Sequence, residues 1–356
     1  LTEGLDFTVI MNEEPLYMRR GRGGFRGRHL VLGERGYYHV MSRMACGQCL
    51  MDEAAKQMFV RMLRKQAAFC GLDILSYCVM GNHFHLLLSV PGKVEISDAE
   101  LMRRYRALYD PERCPPSAAK PSILEGLLAD GSADGAQLRE RITARMGDLS
   151  VFMRELKQRF VIWYNRNHGN KGTIWSQRFT SVIVEPTREA LSTVAAYIDL
   201  NPVRAKLVSD PAEYAFSSYG QAVAGNAQAR RGYEAVFCGY LPWKQLFPNY
   251  NLILYGKGAQ SKGLGPKDQG VVDPGKLKQV VDAGGRLPLS QVLRLRVRYM
   301  TAGTALGSAE FLKKIDCAME ARGSHVGKCS AYRMRGGEWG GLMSYRNLQV
   351  DPIYAG

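Results

Sequence analysis

The sequence predicts an α+β fold, an antiparallel sheet of four or five strands with helices on one face. Three observations predict it. Short runs of aromatic and β-branched residues alternate with stretches of helical period. The first of these fall in the order strand, helix, strand, strand. A Gly81-Asn82 pair, a tight hairpin signal, separates the second strand from the third.

Residues 37–42, YYHVMS, begin the regular structure as a strand. Asp52 then caps a helix that runs to Cys70, with Met58, Phe59, Met62 and Leu63 at helical spacing. Residues 72–80 form the second strand and residues 83–90, HFHLLLSV, the third. This β-α-β-β order is the first half of a ferredoxin-like unit. Residues 92–147 break the rhythm. They hold one helical piece, LMRRYRALY, a Pro-rich loop and a second short helix, with eight basic and eight acidic residues between Asp98 and Met146. They read as an insertion, a lid or a partly mobile flap. A helix resumes from Asp148 to His168, with Phe152, Leu156, Phe160 and Trp163 on one side. Residues 180–185 are a strand, and Pro186 and Thr187 open a helix that stops at Asn201-Pro202.

Beyond residue 225 the texture changes. Residues 257–285 are rich in Gly and Lys and read as a linker. Residues 287–315 hold two expected helices, SQVLRLRVRYM and SAEFLKKI, around Gly303 and Gly307. They read either as a basic helix-turn-helix-like module or as solvated surface helices. Three regions follow: an Arg/Gly-rich extension over 1–35, a core domain over 36–225 with its insertion, and a mostly helical addition over 226–356 that is a candidate DNA-binding accessory.

The 356 residues carry 48 Lys and Arg against 33 Asp and Glu, a net +15 that favours a polyanionic partner, nucleic acid first. Residues 18–28, MRRGRGGFRGR, hold five Arg and no acid, and suit a flexible basic tail or a phosphate-binding arm. The chain begins with Leu, so Met11 or Met18 is an expected start. No apolar run approaches the ~20 residues of a membrane helix, and no signal-peptide pattern opens the chain, so the expected location is cytoplasmic. Cys46 and Cys49 make one CxxC, which could be half of a zinc site, but the other six cysteines supply no matching pair, so the cysteines read as reduced thiols.

Two features carry chemistry. His83 and His85 lie two apart on one strand, so both imidazoles face one side and Phe84 the other. Two neutral imidazoles together suit a divalent metal, but two histidines also alternate on a strand with no such purpose. Tyr197 and Asn201 lie one turn apart on the later helix. A phenol can attack phosphorus and an amide oxygen can ligate a metal. Equally, Tyr197 can be an aromatic packed on the sheet and Asn201 a helix terminus before Pro.

Together these segments resemble a known family. Residues 77–87, YCVMGNHFHLL, are similar to the "MPNHxH" segment of the HUH single-tyrosine transposases, above all their REP-associated branch. Residues 164–169, YNRNHG, with 174–179, IWSQRF, resemble "YFNRRHGRxGxLWQxRF", and residues 197–205, YIDLNPVRA, resemble "YIxxNPVRAG". The three occur in the family's order across about half the chain. Gly81 stands where Pro is usual, and the insertion is enlarged.

The resemblance implies the HUH endonuclease fold and a metal-dependent single-strand DNA endonuclease and strand transferase acting on REP-like hairpins. His83, His85 and Asn201 would hold Mg²⁺ or Mn²⁺, and Tyr197 would be the nucleophile that forms a 5′-phosphotyrosine. Arg154, Lys157, Arg159, Arg166, His168, Lys171, Arg178 and Arg204 would meet DNA, with Tyr164 and Trp175 available to stack on unpaired bases. Trp163 and Trp175 could instead be core. The partner would be single-stranded or hairpin DNA, with no membrane, and the chain a monomer. Two alternatives use the same fold: a catalytically idle DNA-binding regulator, and an HUH replication initiator or relaxase. The absence of GxxxxGK[ST] fits a reaction that stores its energy in the covalent link and needs no nucleotide.

Overall fold

The computed structural model describes residues 35–92, 95–112, 114–239, 241–256, 274–320, 331–345 and 353–354. The Arg/Gly-rich segment 18–28, His29, His325, Cys329 and residues 257–273 of the expected linker lie outside the described residues.

The chain forms β1 (Gly36–Arg43), α1 (Glu53–Cys70), β2 (Asp73–Val79) and β3 (His83–Val90), then α2 (Asp98–Leu108), α3 (Pro121–Ala129), α4 (Ala133–Thr143) and α5 (Leu149–His168). There follow β4 (Thr180–Val184), α6 (Arg188–Asp199), α7 (Asn201–Arg204), α8 (Ser218–Val223), α9 (Ala227–Val236), α10 (Trp243–Tyr255) and α11 (Pro274–Asp282). The C-terminal part adds α12 (Leu289–Val292), β5 (Arg296–Val297), α13 (Tyr299–Ala302), β6 (Ala305–Gly307), α14 (Ala309–Glu320), β7 (Tyr332–Arg333), β8 (Met343–Ser344) and β9 (Ile353–Tyr354). The expected α+β class is what the structure shows. Helix starts follow the local signals: Asp52 accepts from the Ala55 N–H, Asp148 from Ser150 and Val151, and Thr187 from Ala190.

Seven strands form one sheet in the order β2-β3-β1-β4-β6-β8-β7. β1 runs antiparallel to both β3 and β4, and β2 antiparallel to β3. Helices cover both faces of this sheet rather than the single face expected. α1 and α5 pack on the face that carries Tyr38, Val40, Phe84, Leu86 and Leu88. α6 and α9 pack on the face that carries Cys78, Leu87, Val182 and Val184, and α10 packs behind them. The cause is visible in β3, whose Leu86-Leu87-Leu88 run is apolar on both sides, as strands buried on two faces are.

Three further expectations are corrected. The insertion is no lid: Leu101, Leu124 and Ile142 of its three helices are buried in the core with α1 and α5. The linker contains α11, whose Leu277 is buried. The expected helix over SQVLRLRVRYM is two one-turn helices flanking β5. Between Leu293 and Tyr299 the buried residues Leu293, Leu295, Val297 and Tyr299 alternate with Arg294, Arg296 and Arg298, a period that extended backbone satisfies, while Val292 and Met300 are buried on the flanking turns. The C-terminal part also extends the sheet, because β6 pairs parallel with β4 and antiparallel with β8.

Candidate active site

Register places the site on the α6 face of the sheet. Arg43 of β1 lies opposite His83 of β3, and Met41 opposite His85. Side chains alternate, so His39, Met41 and Arg43 share a face with His83 and His85. Phe84 points the other way, its ring 4.7 Å from that of Phe59. His39 is thus the diagonal neighbour of His85, and the two rings stack at 5.1 Å.

Each imidazole has a fixed partner. His39 Nδ1 lies 2.7 Å from the Met300 carbonyl oxygen, and His39 Nε2 lies 2.9 Å from His85 Nδ1. His83 Nδ1 lies 2.6 Å from Asn82 Oδ1. Desolvation holds all three rings neutral. It lowers His39 and His83 to about 4, and His85 well below the usual imidazole range, with His39, His83, Arg204 and Arg43 adding to the effect on His85. Neutral imidazoles are the form that ligates a metal.

α6 brings Tyr197 onto this cluster. The Tyr197 ring is 4% exposed and meets the rings of His39 and His85 edge-on, each at 6.1 Å. The helix is seated by Asp199, which accepts from Ser76 at 3.1 Å, from Tyr233 at 2.7 Å and from Tyr250. Burial raises the Asp199 carboxyl to about 7, against these three hydroxyl bonds. Asn201 opens α7 directly after α6, where Pro202 has no N–H to continue the ladder. Asn201 Nδ2 lies 3.1 Å from His83 Nε2. His83 and His85 from one segment of the sequence and Tyr197 and Asn201 from another, more than 100 residues later, therefore meet at one place.

The expected DNA contacts divide. Arg154, Arg166, His168, Lys171 and Arg178 are exposed. Lys157 donates to Ser42 Oγ and the Gln177 carbonyl, both at 2.8 Å, and sits over the Trp175 ring. Arg159 donates to Tyr109 Oη at 3.0 Å, on the insertion. Tyr164 and Trp175 are 4% and 7% exposed, so the core takes the rings expected to stack on bases. Trp175 packs on Phe59, Phe84 and Phe160. Arg204 turns inward, with its guanidinium 4.0 Å from the centre of the Tyr197 ring.

Sequence reasoning missed three residues. His39 has no motif around it in the sequence, and only the β1–β3 register brings it to His85. Arg43 and Arg296 act on His83 as neighbouring cations. Arg43 could have been found from its place opposite His83, whereas Arg296 comes from the distant β5.

The donor set fits a divalent ion. The Nδ1 atoms of both site histidines are engaged, which leaves their Nε2 lone pairs for a ligand. The Asn201 amide, which now caps His83 Nε2, can turn to present its oxygen. Among the described residues no group of three or more His, Cys, Asp or Glu could hold a metal ion; a third donor beside the two imidazoles would be the Asn201 amide. Two imidazole nitrogens and an amide oxygen would leave room for water or phosphate oxygens on a bound divalent ion.

Residues 34–107 match the family "Transposase IS200 like". The span contains β1, α1, β2 and β3, hence His83 and His85, and bears out the resemblance carried by the 77–87 motif; the motifs at 164–179 and 197–205 lie outside it. Among solved structures the chain is similar to "Structure of the REP associates tyrosine transposase bound to a REP hairpin", with a TM-score of 0.36 and 17% identity over 57% of this chain and 86% of that one. No curated protein matches the chain. No described helix is long and apolar enough to cross a membrane.

Proposed function

We propose, on the premise that residues 34–107 are those of an IS200-like transposase, that this chain cleaves and rejoins single-stranded DNA at hairpins of the REP type through Tyr197. The observation that supports the reading is the meeting of Tyr197 with His85 at 6.1 Å and of Asn201 with His83 at 3.1 Å, all within one chain. A site complete in one chain also supports a monomer.

His83, His85 and, after its amide turns, Asn201 would hold Mg²⁺ or Mn²⁺. When bound, the ion supplies Lewis-acid polarisation of the scissile phosphate. Tyr197 loses its phenolic proton and its oxygen attacks phosphorus. The bond from phosphorus to the 3′ oxygen breaks, that oxygen takes up a proton, and the downstream strand stays on Tyr197 as a 5′-phosphotyrosine. Attack by another 3′-OH reverses the step and joins strands. Arg204 and Arg43 keep the surroundings positive where the phosphate charge must sit. The exposed Arg154, Arg166, His168, Lys171 and Arg178 track the backbone and anchor the hairpin. The expected setting is the cytoplasm.

The test is a denaturing gel of end-labelled hairpin DNA with Mn²⁺ or with EDTA. The expected result is a protein-linked band for the strand downstream of the cut, lost with EDTA and in Tyr197→Phe. Cleavage without a linked band would instead mean a hydrolytic nuclease. Binding with no cleavage across several hairpins would mean the idle regulator.

A further inference from the structure

The bonds of His39 form a chain with only one proton pattern. The Met300 carbonyl can only accept, so His39 Nδ1, 2.7 Å away, carries the proton. His39 is buried, and its described hydrogen bonds include no carboxylate that would stabilise a cation. The ring therefore has a single N–H, and its Nε2 is a lone pair. That lone pair faces His85 Nδ1 at 2.9 Å, so His85 Nδ1 must donate. The proton of His85 is then fixed on Nδ1 and its Nε2 is bare. On the other ligand, Asn82 Oδ1 fixes His83 in the same tautomer from a separate direction.

We infer that His39, seated on the Met300 carbonyl, is a positioning residue that fixes the tautomer and ring orientation of His85. The inference rests on the proposed metal role of His85. It gives a purpose to the C-terminal part of the chain. Met300 belongs to α13, well outside residues 34–107. It is fully buried, and the segment that follows it is held to β4 through the pairing of β6. Ligand geometry on β3 therefore depends on a backbone carbonyl more than 200 residues away, as the 261-residue separation of His39 and Met300 shows. Partners behind a ligating histidine are worth ~10–100-fold in metal affinity.

The experiment uses the full chain, labelled with ¹⁵N at its six histidines. In the metal-free protein, ¹⁵N shifts should show His39 and His85 protonated at Nδ1 alone. His39→Phe removes the acceptor, and His85 should move towards the Nε2–H tautomer. Mn²⁺ affinity, read by EPR without DNA, should weaken ~10–100-fold. His39→Gln can donate to Met300 and accept from His85 with one amide, and should keep both properties near wild type. A wild-type His85 protonated at Nε2 would overturn the inference whether or not any variant folds. So would His39→Phe with unchanged tautomer and affinity, or a folded His39→Gln as impaired as His39→Phe, which would make the role one of packing. If the wild type binds no Mn²⁺ while its shifts show the predicted tautomers, the metal reading fails and His39 still orders His85.

Discussion

The Arg204 guanidinium carbon lies over the Tyr197 ring, 4.0 Å from its centre, and the guanidinium donates to the Tyr197 carbonyl at 2.7 Å. A second bond, to the Leu293 carbonyl at 2.7 Å, holds it there. The arginine thus serves the tyrosine before it serves DNA. A cation held against the reacting group offsets negative charge that develops there in the transition state, and its contact with the ring is worth ~1–2 kcal/mol where water is excluded. Arg204→Gln should slow adduct formation ~5–30-fold and change hairpin affinity by much less. An equal loss in a binding titration and in the adduct rate would make Arg204 a DNA contact instead.

Three neutral histidines, His39 and His85 buried and His83 partly buried, make folding sensitive to acid. The unfolded chain takes up a proton at each near pH 6.5, whereas His39 and His83 resist until about 4 and His85 until lower still. Stability is therefore lost as pH falls from about 6.5 towards 4. Asp199 has the opposite sign. Held at about 7 in the fold, it binds a proton that the unfolded chain does not, and so gains stability over the same window. At ~1.4 kcal/mol per proton per pH unit, the net slope near pH 5 is about 3 kcal/mol per unit. Urea midpoints from pH 7 to 5 should show this fall, and Asp199→Asn should steepen it. A flat profile would contradict the burial of the histidines.

The basic helix and the aromatic residues near it should separate cleanly in mutagenesis. Trp175→Ala should cost ~3–5 kcal/mol of stability, because the ring fills the core beside Phe59 and Phe160. Arg166→Ala and Lys171→Ala, both at exposed positions, should leave the melting temperature unchanged. Each should lower the slope of log affinity against log salt by ~0.9. Thermal melts and hairpin titrations at several salt concentrations check both halves. A stable Trp175→Ala with weakened binding would return that ring to the DNA.

Lys206 closes the turn after α7 with φ of 57°, in the left-handed region that a side chain disfavours. Lys206→Gly should raise stability by up to ~1 kcal/mol, the relief of strain being partly offset by the freer unfolded chain. A lower unfolding midpoint would show that the Lys206 side chain contributes more than its backbone costs.

The parts legible in the sequence were those written locally. The Asp52 cap, the Gly81-Asn82 turn and the alternation around His83 and His85 each act within a few residues, and the structure places β3 over the span read for it. Illegible were features made by distant pairing. β6, β7 and β8 are only two or three residues long and carry no alternation of their own. The burial of Tyr164 and Trp175 depends on α1 and β3 closing over them. His39 is separated by 46 residues from His85, and only sheet register brings them together. The period-two pattern from Leu293 to Tyr299 was present in the sequence, but the helix-forming residues around it hid it.

The most direct test of the central claim is to identify the residue that carries DNA. The protein is trapped on a hairpin with Mn²⁺, digested with trypsin and nuclease, and analysed by tandem mass spectrometry. The account predicts a nucleotide joined by its 5′ phosphate to the peptide containing Tyr197. A nucleotide on Tyr164 or any other residue, or cleaved DNA with no modified peptide, would contradict it.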